Sequence, residues 1–419
     1  MKFKAPKGTF DVLGPDSARY AALIALFAEH ASRYGFDLLV QPMFEDIGVF
    51  QRIGGSTDVV RKEMYDFEDK GGRHIALRPE GTAQAARAYL EHHPTPPWKI
   101  WYAGPKFRYD RPQKGRYRQH HEVGVEAIGT SDPDVDVEVI SLAFGFYAAL
   151  GLTGLTLRLT SLGDENCRPA YRTELEAYLF ARQSQLCDEH RDRISDNPLR
   201  VLDCKRDACI NATKAAPHMI DRLCDACETH FARVKAGLDA AGVAYALDPS
   251  LVRGLDYYTR TTFEFETDAL ESAQNAAGGG GRYDGLIEQL GGAATPGIGF
   301  GLGIERILIA CDAKGVFPVP TERLDVFVID VTGGDGGRDV ARDLRDAGLR
   351  VDRAFDGRSF KSQLTAALRS GARLAVAIEP PAGGGTELPG ITIRTLREKG
   401  EPTAVDRANL VSTLIERLS

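Results

Sequence analysis

The stretch FRYDRPQKGRYRQHHEVGVEAIG, Phe107 to Gly129, sets two opposite chemistries side by side. Its first half crowds Arg108, Arg111, Lys114, Arg116 and Arg118 into a loop between two strand-like segments, Trp98 to Asp110 and His121 to Gly129. Planar, permanently charged guanidinia suit bidentate contacts to phosphate. The second half alternates, with Glu122, Gly124 and Glu126 on one face and Val123 and Val125 on the other. Two carboxylates with a glycine between them form a negatively charged notch suited to an ammonium or an imidazole. A basic loop alone is more often a solvated surface. The acidic strand behind it points instead to a ligand with an anionic end and a cationic end.

Other segments extend this pattern. In HIALRPEGTAQAARAYL, from His74, a strand turns at Pro79-Glu80-Gly81 into a helix. Glu80 and Thr82 sit there as further polar groups, although helix capping alone would account for them. Upstream, Asp16 to Tyr34 has helical periodicity ended by Gly35, and FDLLVQPMFED reads as a strand stopped by Pro42. GGGGRYDGL, from Gly278, is a glycine run of the kind that allows close backbone approach. In TPGIGFGLGIERIL, Gly297, Gly299, Gly301 and Gly303 recur at period two, a flat floor for a planar base with Arg306 at its edge. LVRGLDYYTRTTFEF, from Leu251, places Arg253 beside a glycine and ahead of Tyr257 and Tyr258. Neither the dinucleotide-binding glycine fingerprint nor a P-loop, a nucleophile elbow or a His-Glu-x-x-His zinc motif occurs. The implied chemistry is electrostatic, with fixed cations around a phosphate-bearing ligand.

The chain has 419 residues, enough for two or three domains. Its formal net charge of −7 gives no global attraction to nucleic acid, so any phosphate-binding surface is local. No stretch approaches the roughly 20 apolar residues of a membrane span. No apolar run follows the first lysines, so we expect no signal peptide and a cytoplasmic location. Seven cysteines, an odd number, do not suggest a disulfide framework. Six of them fall between Asp164 and about Ala240, a mostly helical stretch that reads as an insertion. Cys204-x4-Cys209 and Cys224-x2-Cys227 could together supply four thiolates to a structural zinc, but only the second pair has a common zinc spacing. The expectation is therefore thiols packed in the insertion, with no metal site. After Pro318 to Pro320 the sequence alternates strand and helix, as in a small α/β domain, with PPAGGGTELPG as a surface loop.

Together these segments resemble the class II aminoacyl-tRNA synthetases, and among them the histidyl-tRNA synthetase family, over essentially the whole chain. LLVQPMFED is similar to the family's motif 1, the Phe107 to Gly129 stretch to motif 2, and GIGFGLGIERIL to motif 3. LVRGLDYYTRTTFEF and GGRYDGL resemble the two stretches peculiar to the histidine enzymes. The resemblance implies an α+β chain. Its antiparallel-sheet catalytic domain would take residues 1–163 and 241–320, with a helical insertion at 164–240 over the acceptor stem of tRNA. A C-terminal α/β anticodon-binding domain would take 322–419. It implies ATP as a substrate with Mg2+, L-histidine and tRNA(His) as the other substrates, and a homodimer formed around motif 1. Arg108, Arg116 and Arg306 would bind ATP. Glu80, Thr82 and Glu126 would hold the α-amino end of histidine, with Tyr258 and Tyr283 reading the imidazole and Tyr257 lining the same pocket. Arg253 would be the catalytic cation at the α-phosphate. Glu122, also assigned to the histidine pocket, departs from the glutamine of many relatives. His120 stands where phenylalanine is frequent, and the C-terminal loop replaces a short acidic turn.

Two other classes fit parts of this pattern. One is the synthetase-like regulatory subunit of ATP phosphoribosyltransferase, which lacks the C-terminal domain and usually degrades the ATP arginines. The other is an RNA-binding pseudo-synthetase fused to another activity. Arg108, Arg253, Arg306 and the C-terminal segment all stand here, and no additional domain is present, so the enzyme is expected.

Overall fold

Val123, Val125 and Ala127 are fully buried, and their strand, Gln119–Ile128, organises the larger part of the chain. The computed structural model describes residues 3–54, 59–195, 197–252, 257–270, 275–320, 324–381, 388–397 and 400–419. It divides into two units, Met1–Pro318 and Val319–Ser419.

In the first unit an eight-stranded sheet runs in the order Asp37–Leu38, Trp98–Phe107, Gln119–Ile128, Gly297–Gly303, Ala276–Arg282, Thr259–Thr267, Leu155–Ser161, Tyr245–Leu247. Only the outermost pairings are parallel; the six central strands are antiparallel. Strand alternation gives the sheet two unlike faces. The apolar face packs on helices Asp16–Arg33 and Pro133–Ala149, with Leu23, Phe27, Ile140, Phe146, Phe263 and Phe300 in one core. Phe27 and Phe146 meet edge to face at 5.0 Å, a favoured aromatic geometry. Burial of each such side chain contributes about 1.5–3 kcal/mol, which holds the opposite face to a fixed shape.

The first helix, Asp16–Arg33, ends where expected, with Gly35 at φ 75°. The strand expected from Phe36 and stopped by Pro42 is short, and a second strand follows the proline. Asp37–Leu38 joins the large sheet, and Phe44–Asp46 pairs with His74–Leu77 in a separate three-stranded sheet. Pro42, without an N–H, stands between them. The segment at the turn points inward, where the Gln41 side chain donates to Gly81 O at 2.8 Å.

The stretch after Ser161 has its own small core. It comprises helices Arg168–Phe180, Asp188–Arg191, Leu199–Leu202, Asp207–Thr213 and the start of Asp225–Ala240. Helix Asp225–Ala240 is tied to the sheet through a fully buried ion cluster. Arg282 Nε donates to Asp136 Oδ1 at 2.8 Å, and His230 Nε2 lies 2.9 Å from Asp136 Oδ2. Arg282 also donates to the carbonyls of Thr130 and Asp132. Buried charge is tolerated only with such complete pairing.

The second unit has a five-stranded sheet in the order Val351–Arg353, Leu324–Asp330, Ala372–Glu379, Gly390–Thr395, Thr403–Ala404. Its first three strands are parallel and alternate along the chain with helices Asp335–Asp346 and Phe360–Ser370, matching the expected strand–helix alternation. Strands Gly390–Thr395 and Thr403–Ala404 and helix Leu410–Leu418 complete it. Most of the glycine-rich loop, residues 382–387, lies outside the described residues.

Candidate active site

Glu126 is the centre of the polar face. It is fully buried, and three hydroxyls converge on its carboxylate. Thr82 Oγ1 donates to Oε1 at 2.7 Å, Tyr102 OH to Oε1 at 3.2 Å, and Tyr283 OH to Oε2 at 2.7 Å. Its neighbour Glu80 accepts the backbone N–H groups of Thr82 at 2.7 Å and Ala83 at 2.8 Å. Glu80 thus caps helix Thr82–His92 and belongs to the pocket at once, since Tyr257 OH lies 3.4 Å from Oε2, the oxygen that also accepts the Thr82 N–H. Tyr257 packs on Tyr258 at 4.8 Å and meets Tyr283 edge-on at 6.1 Å. All three tyrosines are buried. Glu80, Thr82, Glu126, Tyr257, Tyr258 and Tyr283, far apart in sequence, therefore form one cluster.

The absence of side chains makes this cluster possible. A Cβ on Gly299 would lie 1.8 Å from Glu126 Oε2, and one on Gly297 would lie 2.3 Å from the Tyr283 ring. A Cβ on Gly301 would meet Glu122 at 2.7 Å. The alternating glycines are therefore no bare floor: over much of its length the strand is covered by carboxylates and a tyrosine. Towards its end Gly301 and Gly303 also border the neighbouring cavity, and only Gly303 of the four has room for a Cβ. The notch expected between Glu122 and Glu126 is also filled. Tyr102 occupies it, 2.6 Å from where a Gly124 Cβ would stand.

Beside the cluster opens a cavity of about 530 Å³, whose walls include Arg108, Arg116, His120, Glu122, Glu264 and Arg306. Arg108 Nε is fixed by Pro79 O at 2.9 Å, and Arg116 pairs with Asp110. Glu305 accepts both the backbone N–H and Nδ1 of His121, which secures helix Ile304–Lys314 to the acidic strand. Burial first, then the charges of Arg108 and Lys106, hold His120 down to about 3, so this side chain is neutral near pH 7. Arg111 is exposed, and Arg118 stacks on Tyr109 at 3.8 Å, so neither joins this cavity wall. Arg253 and Gly254 lie outside the described residues.

Arginines around a cavity, next to a buried acid cage lined with phenols, can hold the phosphates of a nucleotide against a small cationic amino acid. Among known proteins, the profile described as histidyl-tRNA synthetase matches residues 8–307. The chain belongs to the histidyl-tRNA synthetase family. A histidine–tRNA ligase of Rhodococcus erythropolis is 49% identical over 383 residues, 90% of each chain. One of Mycobacterium tuberculosis is 47% identical over 426 residues, 100% of this chain and 98% of its own. The crystal structure of apo S. aureus histidyl-tRNA synthetase superposes with a TM-score of 0.81 at 33% identity, covering 98% of this chain and 99% of that one. A Bacillus halodurans chain described as an ATP phosphoribosyltransferase regulatory subunit/histidyl-tRNA synthetase gives a TM-score of 0.61 at 20% identity, a likeness of fold alone.

Sequence reasoning missed two residues of this candidate site, Tyr102 and Lys106. Both lie on Trp98–Phe107, four positions apart and so on one strand face. Tyr102 pairs in register with Gly124 and Lys106 with His120, placing both on the face that carries Glu122 and Glu126. Lys106 is fully buried, donates to Gln41 Oε1 at 3.2 Å and lies 4.5 Å above the Tyr102 ring. Burial lowers it to about 8, against the upward pull of Glu122. It is the internal counter-cation of the acid cage.

Burial above all pushes Glu126 up to about 8, although the hydrogen bonds from Tyr283 and Thr82 act the other way. The folded chain therefore keeps a proton that the unfolded chain has released above the ordinary carboxylate range. Stability from this group is present at low pH and is lost as pH rises to about 8. Melting of the ligand-free protein between about pH 5 and pH 8 is expected to show this decline, and Glu126→Gln to flatten it. An equally steep decline in the variant would remove Glu126 as its source.

Proposed function

We propose that the Glu126 cage holds histidine and the arginine-lined cavity holds ATP, so that the carboxylate of one meets the α-phosphate of the other at their junction. As a histidyl-tRNA synthetase, the chain ligates L-histidine to tRNA(His) at the expense of ATP, through a histidyl-adenylate. The observation that carries the assignment of roles is the convergence of Thr82, Tyr102 and Tyr283 on one buried carboxylate.

Glu80, Thr82 and Glu126 receive the α-amino group. Tyr258 and Tyr283 read the imidazole, Tyr257 closes the pocket wall, and Glu122 faces the junction. A ring recognised through buried polar groups is discriminated strongly, because a competing amino acid leaves those groups unpaired. Arg108, Arg116 and Arg306 bind the nucleotide. Attack by the histidine carboxylate places charge on the α-phosphate oxygens as pyrophosphate leaves, and Arg253 is the cation assigned to that charge. The terminal ribose hydroxyl of tRNA then attacks the adenylate carbonyl and AMP departs. Mg2+ accompanies ATP. Such an ion needs one or two carboxylates besides phosphate and water, and Glu264 on the cavity wall fits that need.

Residues 1–163 and 241–320 form the catalytic domain in this reading, 164–240 the insertion over the acceptor stem, and 322–419 the anticodon-binding domain. The chain works as a homodimer through the motif 1 segment, where Leu38, Val40, Met43 and Phe44 are 55%, 81%, 50% and 56% exposed. Apolar side chains grouped in this way favour a partner surface. No helix among the described residues is long and apolar enough to cross a membrane, and a cytoplasmic enzyme is the reading we adopt.

The test is histidine-dependent exchange of labelled pyrophosphate into ATP, followed by charging of tRNA(His). Arg253→Ala is expected to slow exchange on the order of 100-fold while histidine still binds, the scale for removing one preorganised donor to a developing charge. Near-normal exchange in that variant would overturn the catalytic assignment. A well-folded wild-type chain with no exchange would favour a regulatory role.

A further inference from the structure

The six cysteines of the insertion do not pack as scattered thiols, nor do Cys204, Cys209, Cys224 and Cys227 form one set. They divide between two separate clusters. In the first, Cys187, His190, Cys204 and Cys209 bring one ligand atom each within 4.8 Å of one another. Cys187 Sγ lies 3.1 Å from His190 Nδ1 and 4.0 Å from Cys204 Sγ. In the second, Asp164, Cys167, Cys224 and Cys227 do the same. Cys167 Sγ lies 3.9 Å from Cys227 Sγ, while Asp164 Oδ1 is 3.5 Å from Cys167 Sγ and 3.7 Å from Cys224 Sγ.

We propose that the insertion holds two structural zinc ions, one bound by Cys187, His190, Cys204 and Cys209 and the other by Asp164, Cys167, Cys224 and Cys227.

Several independent features point this way. A tetrahedral ion with Zn–S bonds of about 2.3 Å sets two sulfurs roughly 3.8 Å apart, close to the separations found and about twice a disulfide bond. Each cluster draws its fourth ligand from a different class, an imidazole in one and a carboxylate in the other. Apolar packing of thiols has no use for either group, whereas zinc accepts both. Asp164-x2-Cys167, Cys224-x2-Cys227 and Cys187-x2-His190 repeat the two-residue spacing that lets a tight turn present two ligands to one ion. Backbone N–H groups point at the sulfurs, from Asp164 to Cys167 Sγ at 3.3 Å and from Cys187 to Cys209 Sγ at 3.4 Å, the outer contacts that steady thiolate ligands.

The segment also needs such ions. Its helices Asp188–Arg191 and Leu199–Leu202 have four residues each, too few to stand without tertiary support. Small cores of this size commonly rely on metals or disulfides. Each site takes up Zn2+ as three thiolates with one neutral imidazole nitrogen or one carboxylate oxygen, the thiol protons passing to solvent. The second site clamps the insertion to the catalytic sheet. Asp164 Oδ2 pairs with Arg260 at 3.2 Å, Arg260 N donates to Gly163 O at 2.8 Å, and Arg168 donates to Tyr258 O at 2.9 Å.

The test is elemental analysis for zinc and iron on the full chain purified from zinc-supplemented cells. We expect two zinc per chain, one in Cys204→Ser, one in Cys227→Ser, and two in Cys311→Ala, which alters the buried cysteine outside both clusters. Should the serine variants not fold, the wild-type chain suffices. Titration with a mercurial in the presence of a zinc indicator would release two zinc, and X-ray absorption at the zinc edge would show a sulfur-dominated shell with a lighter N/O ligand. No metal, iron in place of zinc, or six insertion thiols that react freely with Ellman's reagent in the native chain would overturn the proposal. A single zinc lost in only one serine variant would overturn the other site. The metal count is independent of aminoacylation and stands or falls apart from the active-site reading.

Discussion

Glu126→Ala is expected to lower kcat/KM for histidine in pyrophosphate exchange by about 1,000-fold. Removing one partner of a buried, hydrogen-bonded charge pair costs about 2–5 kcal/mol or more, and 1,000-fold corresponds to about 4 kcal/mol. Two losses combine at this position. In the proposed reading the ammonium of histidine, whose charge draws the proton off Glu126 on binding, loses its deepest carboxylate, and the hydroxyls of Thr82, Tyr102 and Tyr283 lose the acceptor they share. Glu126→Gln keeps the shape and an acceptor oxygen but removes the charge, so its loss should be smaller and fall mainly on KM. Steady-state exchange with histidine varied at saturating ATP separates the two parameters. If Glu126→Ala left KM for histidine unchanged and lost less than about tenfold overall, the cage would not be the amino-acid site.

The second large effect concerns stability. Asp136→Ala is expected to destabilise the first unit by about 3–5 kcal/mol, the range for breaking a buried ion pair from one side. Arg282 and Asp136 are both fully buried, and among the described residues Arg282 would keep only Asp284 as a carboxylate partner, at 3.1 Å. His230, on helix Asp225–Ala240, would lose its acceptor as well. Asp134→Ala is the control. Two residues away, Asp134 pairs with Arg233 on the surface, where ion pairs are weak, and little change is expected. Urea unfolding followed by intrinsic fluorescence compares the two. Equal midpoints for both variants would mean that the buried cluster contributes nothing beyond a surface pair.

Much of the candidate site is legible in the sequence because its residues lie close together in the chain. Arg108, Arg116, Glu122 and Glu126 fall within one hairpin, and period-two alternation sets the two glutamates on one face. The strand–helix alternation of the C-terminal unit was equally plain, since βαβ units write their periodicity along the chain. Other features resisted for physical reasons. Phe36 to Asp46 reads as a strand stopped at Pro42, and periodicity does not say that Phe44–Asp46 goes on to pair in a separate sheet. Tyr102 and Lys106 look like an ordinary aromatic and a solvated lysine until strand register sets them opposite Gly124 and His120. The cysteines invited grouping by nearest spacing, whereas the fold pairs Cys167 with Cys227 across 60 residues and leaves Cys204 to Cys187. Ligands drawn together by tertiary structure leave little trace in local spacing.

The glycines of Gly297–Gly303 bear on how the enzyme can change over generations. At Gly299 even a methyl group would overlap Glu126, and at Gly297 it would overlap Tyr283. At these two positions a single replacement cannot be accommodated while Tyr283 and Glu126 keep their places. In the proposed reading, a shift towards another amino acid would need the strand and its opposing carboxylate to alter together. Under that reading the packing of the glycine strand resists a change of amino acid at positions that need not touch the ligand at all.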